Sequence, residues 1–287
     1  MKTGIKLFFI IIGGFAVNVF AQAPIEKTVT VFGAKINYVE AGDPAKPHVI
    51  LLHGLGGSTV NWAFNIPALA QNYHVIAIDQ IGFGKSDRPM LKYRVSTYVD
   101  FLDKFMTETK IGRATLVGNS LGGWVAALTA IKYPNRVDKI VLADAAGIKP
   151  SDVDLNLIYS LNYSTRDEVR DLVKLVFYNQ AIFASNAFIE ESMRLRVVAN
   201  DGYTINSLID SIKRGEDFLN TRLGEIKKPT LIIWGKQDGL LKVADGEQFN
   251  RGIAGSELVV FDQCGHVPQV ERATDFNKKV LEFLAKK

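Results

Sequence analysis

Three apolar runs in this sequence are each followed closely by a residue that can do chemistry. Ser120 follows ATLVGN, Asp238 follows PTLIIWGKQ and His266 follows SELVVFDQCG. A serine hydroxyl is a weak nucleophile until a base takes its proton. Histidine commonly serves as that base, and a carboxylate holds its imidazole in the productive tautomer. Serine, acid and histidine in this order therefore read as a triad for attack on a carbonyl. Asp144 also stands just past an apolar run and is the alternative acid, whereas Asp262 sits four residues before His266 and reads as a turn residue. The remaining histidines fit less well: His48 and His74 open apolar runs, and His53 lies in a glycine-rich turn.

The serine stands in LVGNSLGGWV, residues 116–125, where Gly-x-Ser-x-Gly joins a strand-like run to a helix-like one. Glycine is the residue for backbones that crowd or turn to positive φ. A sharp turn here would expose the hydroxyl beside the first N–H of the following helix. Acyl transfer also needs donors for the developing oxyanion. The stretch HGLGGS, 53–58, follows another apolar run, so the Leu55 and Leu121 N–H groups are the expected pair. Neither G-x-x-x-x-G-K-[ST] nor G-x-G-x-x-G occurs, which argues against a nucleotide site.

These residues need a scaffold that brings strand ends together. Strand-like segments are read at 27–33, 34–42, 49–53, 74–80, 114–119, 138–145, 229–235 and 256–262. Helix-like segments are read at 61–72, 96–109, after Ser120 up to Pro134, and from Ala273 to the end. Buried strands alternating with helices predict an α/β fold with a doubly wound, mostly parallel sheet. The alternation breaks between Gly147 and Leu223, where only helical patterns appear. The expected organisation is a core of 22–146 and 224–287, with a helical cap of 147–223 over the carboxyl ends of the strands, where such sheets bind ligands. Apolar cap stretches, LIYSLNY and LVKLVFYNQAIF, read as pocket wall and as packing onto the core rather than as a membrane contact.

Composition narrows the function classes. The chain has 287 residues, 47% hydrophobic and 22% charged, with net charge +4 and no long basic run, so nothing favours nucleic-acid binding. One cysteine, Cys264, excludes an intrachain disulfide framework and a cysteine metal cluster. No metal and no organic cofactor is expected. At the N-terminus, MKTGIK, the apolar LFFIIIGGFAV and the Val19-Phe20-Ala21 site have the grammar of a secretory signal peptide. Cleavage near Ala21 would remove Lys2 and Lys6 and leave an exported protein.

Together HGLGG, DQIGFGKSDRP at 79–89, GNSLGG, WGKQD and CGH resemble the α/β-hydrolase superfamily over nearly the whole mature chain. The resemblance implies a serine hydrolase with Ser120, Asp238 and His266 as its triad. Haloalkane dehalogenases and epoxide hydrolases are similar but carry aspartate at the Ser120 position. GNSLGG, LGEIKKPTLIIWGKQD and CGHVPQVERATDFNKKVLEFL resemble the meta-cleavage-product hydrolases, which cut a carbon–carbon bond in vinylogous diketones. In that branch Asn119 matches the residue before the nucleophile, and Arg196 matches a cap arginine that binds the substrate carboxylate. Two departures stand out: Val267 replaces the tryptophan after the histidine, and HGLGGS replaces a longer glycine-proline oxyanion loop. Secreted and membrane-associated bacterial esterases and monoacylglycerol-lipase-like enzymes are similar over the same segments and tolerate other residues there. The expected function is thus hydrolysis of small-molecule carboxylic esters, with Asn119, Arg196 and Val267 at the substrate. The alternatives are C–C bond hydrolysis by the same triad and a silent ligand-binding protein of the same fold.

Overall fold

The computed structural model describes residues 23–149 and 160–286. The expected signal segment, and part of LIYSLNY, lie outside them. Eight strands form one sheet: β1 (Ile25–Val31), β2 (Ala34–Ala41), β3 (His48–Leu52), β4 (His74–Ile78), β5 (Ala114–Asn119), β6 (Val137–Ala143), β7 (Thr230–Gly235) and β8 (Glu257–Phe261). Their spatial order is β1-β2-β4-β3-β5-β6-β7-β8. The β1-β2 and β2-β4 pairs are antiparallel, and the strands from β4 to β8 pair parallel.

Parallel strands covered on both faces read as unbroken apolar runs, and β4, β5 and β7 are buried at every position. Their side chains alternate between two cores. Ile50, Leu116, Leu142 and Trp234 join one apolar cluster, while Leu51, Val117, Val141 and Ile233 join the other.

Ten helices are described: α1 (Ile66–Leu69), α2 (Val95–Glu108), α3 (Leu121–Lys132), α4 (Arg166–Val176), α5 (Gln180–Phe183), α6 (Asn186–Ala199), α7 (Gly202–Lys213), α8 (Val243–Gly252), α9 (Pro268–Glu271) and α10 (Ala273–Ala285). Helix α2 buries Val95, Tyr98, Val99, Leu102, Phe105 and Met106, the spacing of one helical stripe. The helix expected over 61–72 is instead a 3₁₀ turn, Thr59–Trp62, followed by the short α1. Asn65 and Pro67 lie at the break, because proline has no N–H to give the preceding turn.

Between β6 and β7 every described element is a helix or a short 3₁₀ turn. Helix α4 starts at a reciprocal cap: Thr165 Oγ1 accepts from the Glu168 N–H, and the Glu168 carboxylate accepts from the Thr165 N–H at 2.9 Å. Its Val169 and Val173 bury against Ile189 of α6 in a small cluster of their own. Among the described residues no helix is long and apolar enough to cross a membrane.

Candidate active site

Ser120 sits between the last residue of β5 and the first of α3, at φ 55° and ψ −117°. A left-handed φ is uncommon for a residue with a side chain and persists only where its surroundings enforce it. Here the flanking glycines make the turn feasible. A Cβ on Gly118 would stand 2.1 Å from the Gly122 carbonyl oxygen, and one on Gly122 would stand 2.1 Å from that of Leu52. No side chain fits at either position. The Ser120 N–H donates to the Ala143 carbonyl at 3.0 Å, and the Ser120 carbonyl accepts from Trp124 and Ala146. The elbow is thus tied to the ends of both β5 and β6.

Asp238 and His266 meet as expected. Asp238 Oδ2 lies 2.7 Å from His266 Nδ1, and both residues are buried. Asp238 Oδ1 accepts from the N–H groups of Leu240 and Leu241 at 2.8 and 3.0 Å, which fixes the carboxylate. Packing between the two loops is close: a Cβ on Gly235 would stand 1.9 Å from the Gly265 carbonyl oxygen. With Nδ1 on the carboxylate, Nε2 is the nitrogen left for the serine proton. Ser120 is half-buried. No hydrogen bond joins Ser120 Oγ to His266 in this structure; serine–histidine bonds are often long without substrate and tighten when it binds.

The HGLGGS turn lies against the nucleophile. A Cβ on Gly54 would stand 3.2 Å from Ser120 Cβ and 3.4 Å from Asn119 Oδ1. The Leu121 N–H opens α3 and so has no acceptor one turn back in its own helix. Leu55 is half-buried against the larger core, in the same turn as Gly54. Behind this turn, Asp79 is a buried hub that sequence reasoning left unassigned. It accepts from the Thr59 N–H at 2.6 Å, and from Asn37 Nδ2 and the Lys85 N–H at 2.9 Å. His53 is fully buried, its Nε2 accepting from the Gln80 N–H at 3.0 Å, and burial holds its pKa below the ordinary value.

The three residues expected at the substrate have other partners. Asn119 is 4% exposed, and its amide donates to the carbonyls of Ala143 and His266 at 3.2 and 3.0 Å. It stitches the nucleophile strand to the histidine loop. Arg196 of α6 pairs with the buried Asp201, donates to Asn162 Oδ1 and to the Tyr163 carbonyl, and lies 5.5 Å from the Tyr163 ring centre. Asp201 Oδ2 lies 4.0 Å from where a Gly56 Cβ would stand, so this ion pair borders the HGLGGS turn. Burial raises the Asp201 pKa and Arg196 opposes that rise. Val267 follows His266 and is buried, 8% exposed, at the start of α9.

Other candidates resolve by position. Asp262 is exposed and accepts from Gln237 Nε2 at 2.9 Å, a turn role. His48 and His74 face each other at the opposite ends of their strands, Nδ1 to Nδ1 at 3.0 Å. Burial pushes the Cys264 thiol far above its ordinary pKa, so it is no nucleophile. In the apolar stretch LVKLVFYNQAIF, Phe177 stacks on Phe183 with ring centres 3.8 Å apart, and both meet Phe188.

A contact absent from the sequence reading joins the helical segment to the triad. The His266 N–H donates to the Val176 carbonyl at 2.7 Å, and the Gly239 N–H to that of Leu175 at 2.9 Å. Glu271 completes the link: Oε1 accepts from the Tyr178 and Asn179 N–H groups, and Oε2 from that of Gly265. The end of α4 therefore rests on both the acid loop and the histidine loop.

Residues 47–273 match the model of the alpha/beta hydrolase fold family. A 2-hydroxy-6-oxononadienedioate/2-hydroxy-6-oxononatrienedioate hydrolase of Paraburkholderia xenovorans is 33% identical over 265 residues, covering 88% of this chain and 91% of that protein. Among solved structures, a bacterial membrane phospholipase A superposes with TM-score 0.82 at 29% identity, covering 91% of this chain and 86% of the other. A 2-hydroxy-6-oxo-6-phenylhexa-2,4-dienoate hydrolase of Rhodococcus also superposes with TM-score 0.82, at 26% identity, covering 93% and 100%. Matched by that family model over most of its length, and with a serine elbow at the end of β5, this chain belongs to the α/β-hydrolase family.

Proposed function

We propose that this hydrolase cleaves carboxylic esters of small molecules through an acyl-enzyme on Ser120. His266 Nε2 takes the Ser120 proton as Oγ attacks the ester carbonyl, while Asp238 steadies the imidazolium. The Leu55 and Leu121 N–H groups receive the oxyanion, and one such donor is worth on the order of 10²–10³ in kcat. Collapse of the tetrahedral intermediate returns the proton to the leaving alcohol. Water, deprotonated by His266, then releases the acid and regenerates the serine. The N-terminal segment supports export, and the helices between β6 and β7 act as the cap over the pocket.

The observation that carries the ester reading is the closed state of Arg196. A cap arginine that receives a substrate carboxylate needs a free fork. In this chain the fork is taken by Asp201 and Asn162. That favours uncharged substrates. The second reading, C–C bond hydrolysis by the same triad, is favoured by the likeness to the Paraburkholderia and Rhodococcus hydrolases.

The deciding experiment is turnover of p-nitrophenyl esters from acetyl to dodecanoyl beside a meta-cleavage dienoate. Strong ester turnover with an inert dienoate is expected. Preference for the dienoate would install the C–C reading instead.

A further inference from the structure

Asp144, directly after β6, is the one triad neighbour with no role in the mechanism above. It is completely buried and held at φ 41°, a left-handed conformation that costs energy for a residue with a side chain. Its N–H donates to the Ile233 carbonyl at 2.9 Å, and its Oδ1 accepts from the Gly235 N–H at 2.9 Å. Oδ2 is buried without a donor. Yet ligand atoms of Asp144, Asp238 and His266 all lie within 4.8 Å of one another. Two carboxylates this close, out of water, cannot both be ionised.

Which one keeps the charge follows from the donors. Asp238 receives two backbone N–H groups and the imidazole. Asp144 receives one N–H. The surrounding groups add to the asymmetry. Burial first and Asp238 second push the Asp144 carboxyl well above its ordinary pKa, and Glu271 adds to this. The nearby Cys264 thiol brings no positive charge, and the Arg272 guanidinium is engaged over Phe261 and with Asp275. A protonated Oδ2 changes from an orphaned acceptor into a donor, and an acceptor stands within reach in the Asp238 carboxylate.

We propose that Asp144 is a positioning residue held as the neutral acid, its Oδ2–H donating to the Asp238 carboxylate, so that the triad acid is an acid–carboxylate pair. The inference rests on the triad reading of Ser120, Asp238 and His266. The extra donor holds Asp238 in the rotamer that faces His266 and takes up part of its negative charge. Less negative charge then faces the imidazole than a lone carboxylate would place there.

The test compares Asp144→Asn, Asp144→Leu and Asp238→Asn in the mature protein, with Ser120→Ala as the control for the reading beneath. An asparagine reproduces both bonds, accepting from Gly235 and donating to Asp238. It should keep kcat within about threefold of wild type, with the acid limb of kcat/KM unmoved. Leucine removes the donor and should lower kcat by about 10- to 100-fold, with the acid limb moved to higher pH. In wild type minus Asp144→Asn infrared spectra at neutral pH, the C=O stretch of a protonated carboxyl should appear, a readout that survives poor folding of the leucine variant. The proposal is overturned if Asp144→Asn loses as much activity as Asp238→Asn, if it moves the acid limb downward, or if the protonated stretch is absent. Turnover surviving in Ser120→Ala would instead sink the triad reading itself.

Discussion

The side-chain amide of Asn119 donates to the main-chain carbonyl of His266 at 3.0 Å, so the residue before Ser120 holds the loop that carries His266. The pair spans 147 positions of sequence, and its other N–H ends on Ala143. Replacing Asn119 by alanine strips the buried His266 carbonyl of this donor, while the Ala143 carbonyl keeps that of Ser120. The expected cost is about 1–3 kcal/mol of stability. A loosened histidine should also lower kcat by on the order of 10- to 100-fold with KM little changed. Urea unfolding and steady-state kinetics check both. A raised KM with unchanged kcat and stability would return Asn119 to the substrate.

Glu271 is expected to act as a latch between the helical segment and the histidine loop, since one carboxylate serves Gly265, Tyr178 and Asn179. Glu271→Gln keeps the shape but halves the acceptor set. Amide exchange at Tyr178, Asn179 and Gly265 should quicken, with kcat/KM down about tenfold. Unchanged exchange at these three amides would deny the latch.

Arg196 and Asp201 form a buried pair, and removing one partner strands the other charge. Asp201→Asn should cost about 3–5 kcal/mol of stability. It should also free the guanidinium, improving KM for a monoester bearing a free carboxylate relative to its neutral analogue. A ratio identical to wild type would mean that Arg196 does not reach the substrate.

Acid should destabilise the fold through two histidines. Burial holds His53 and His74 below the ordinary pKa, so the unfolded chain binds more protons than the folded one. Their neutral forms support full stability above the unfolded value of about 6.5, and stability falls as pH drops below it. The neutral Asp144 acid works in the other direction, so urea midpoints at pH 7 and pH 5 are compared between wild type and His74→Gln, and an equal pH effect in both would contradict the histidine account.

Much of the scaffold was legible because its chemistry is local. Runs such as HVIAI and TLIIWG are buried at every position because both faces of those strands are covered, and all eight strands have bounds within two residues of the segments read as strand-like. The close pair Asp238–His266 followed from strand ends in chain order, and the hydrolase fold from the same motifs. The segment 61–72 was misread as one helix because its apolar spacing outweighed Pro67, which ends the regular turn. Helix α8 escaped notice, since VADGEQFNRG buries only Gly246 and Phe249 and shows no apolar stripe. What stayed hidden was pairing across long separations. Nothing local tells that Asp201 will close the fork of Arg196 or that Glu271 will reach Tyr178. Asn119 was placed at the substrate by resemblance, and its bonds to Ala143 and His266 could not be read locally because strand order sets them.

The central claim, a nucleophilic Ser120, is tested most directly by labelling the protein with a fluorophosphonate and locating the adduct by mass spectrometry. The account predicts one adduct, on Ser120, with loss of ester turnover in proportion to labelling. An unlabelled Ser120, or full turnover in a fully labelled protein, would contradict it.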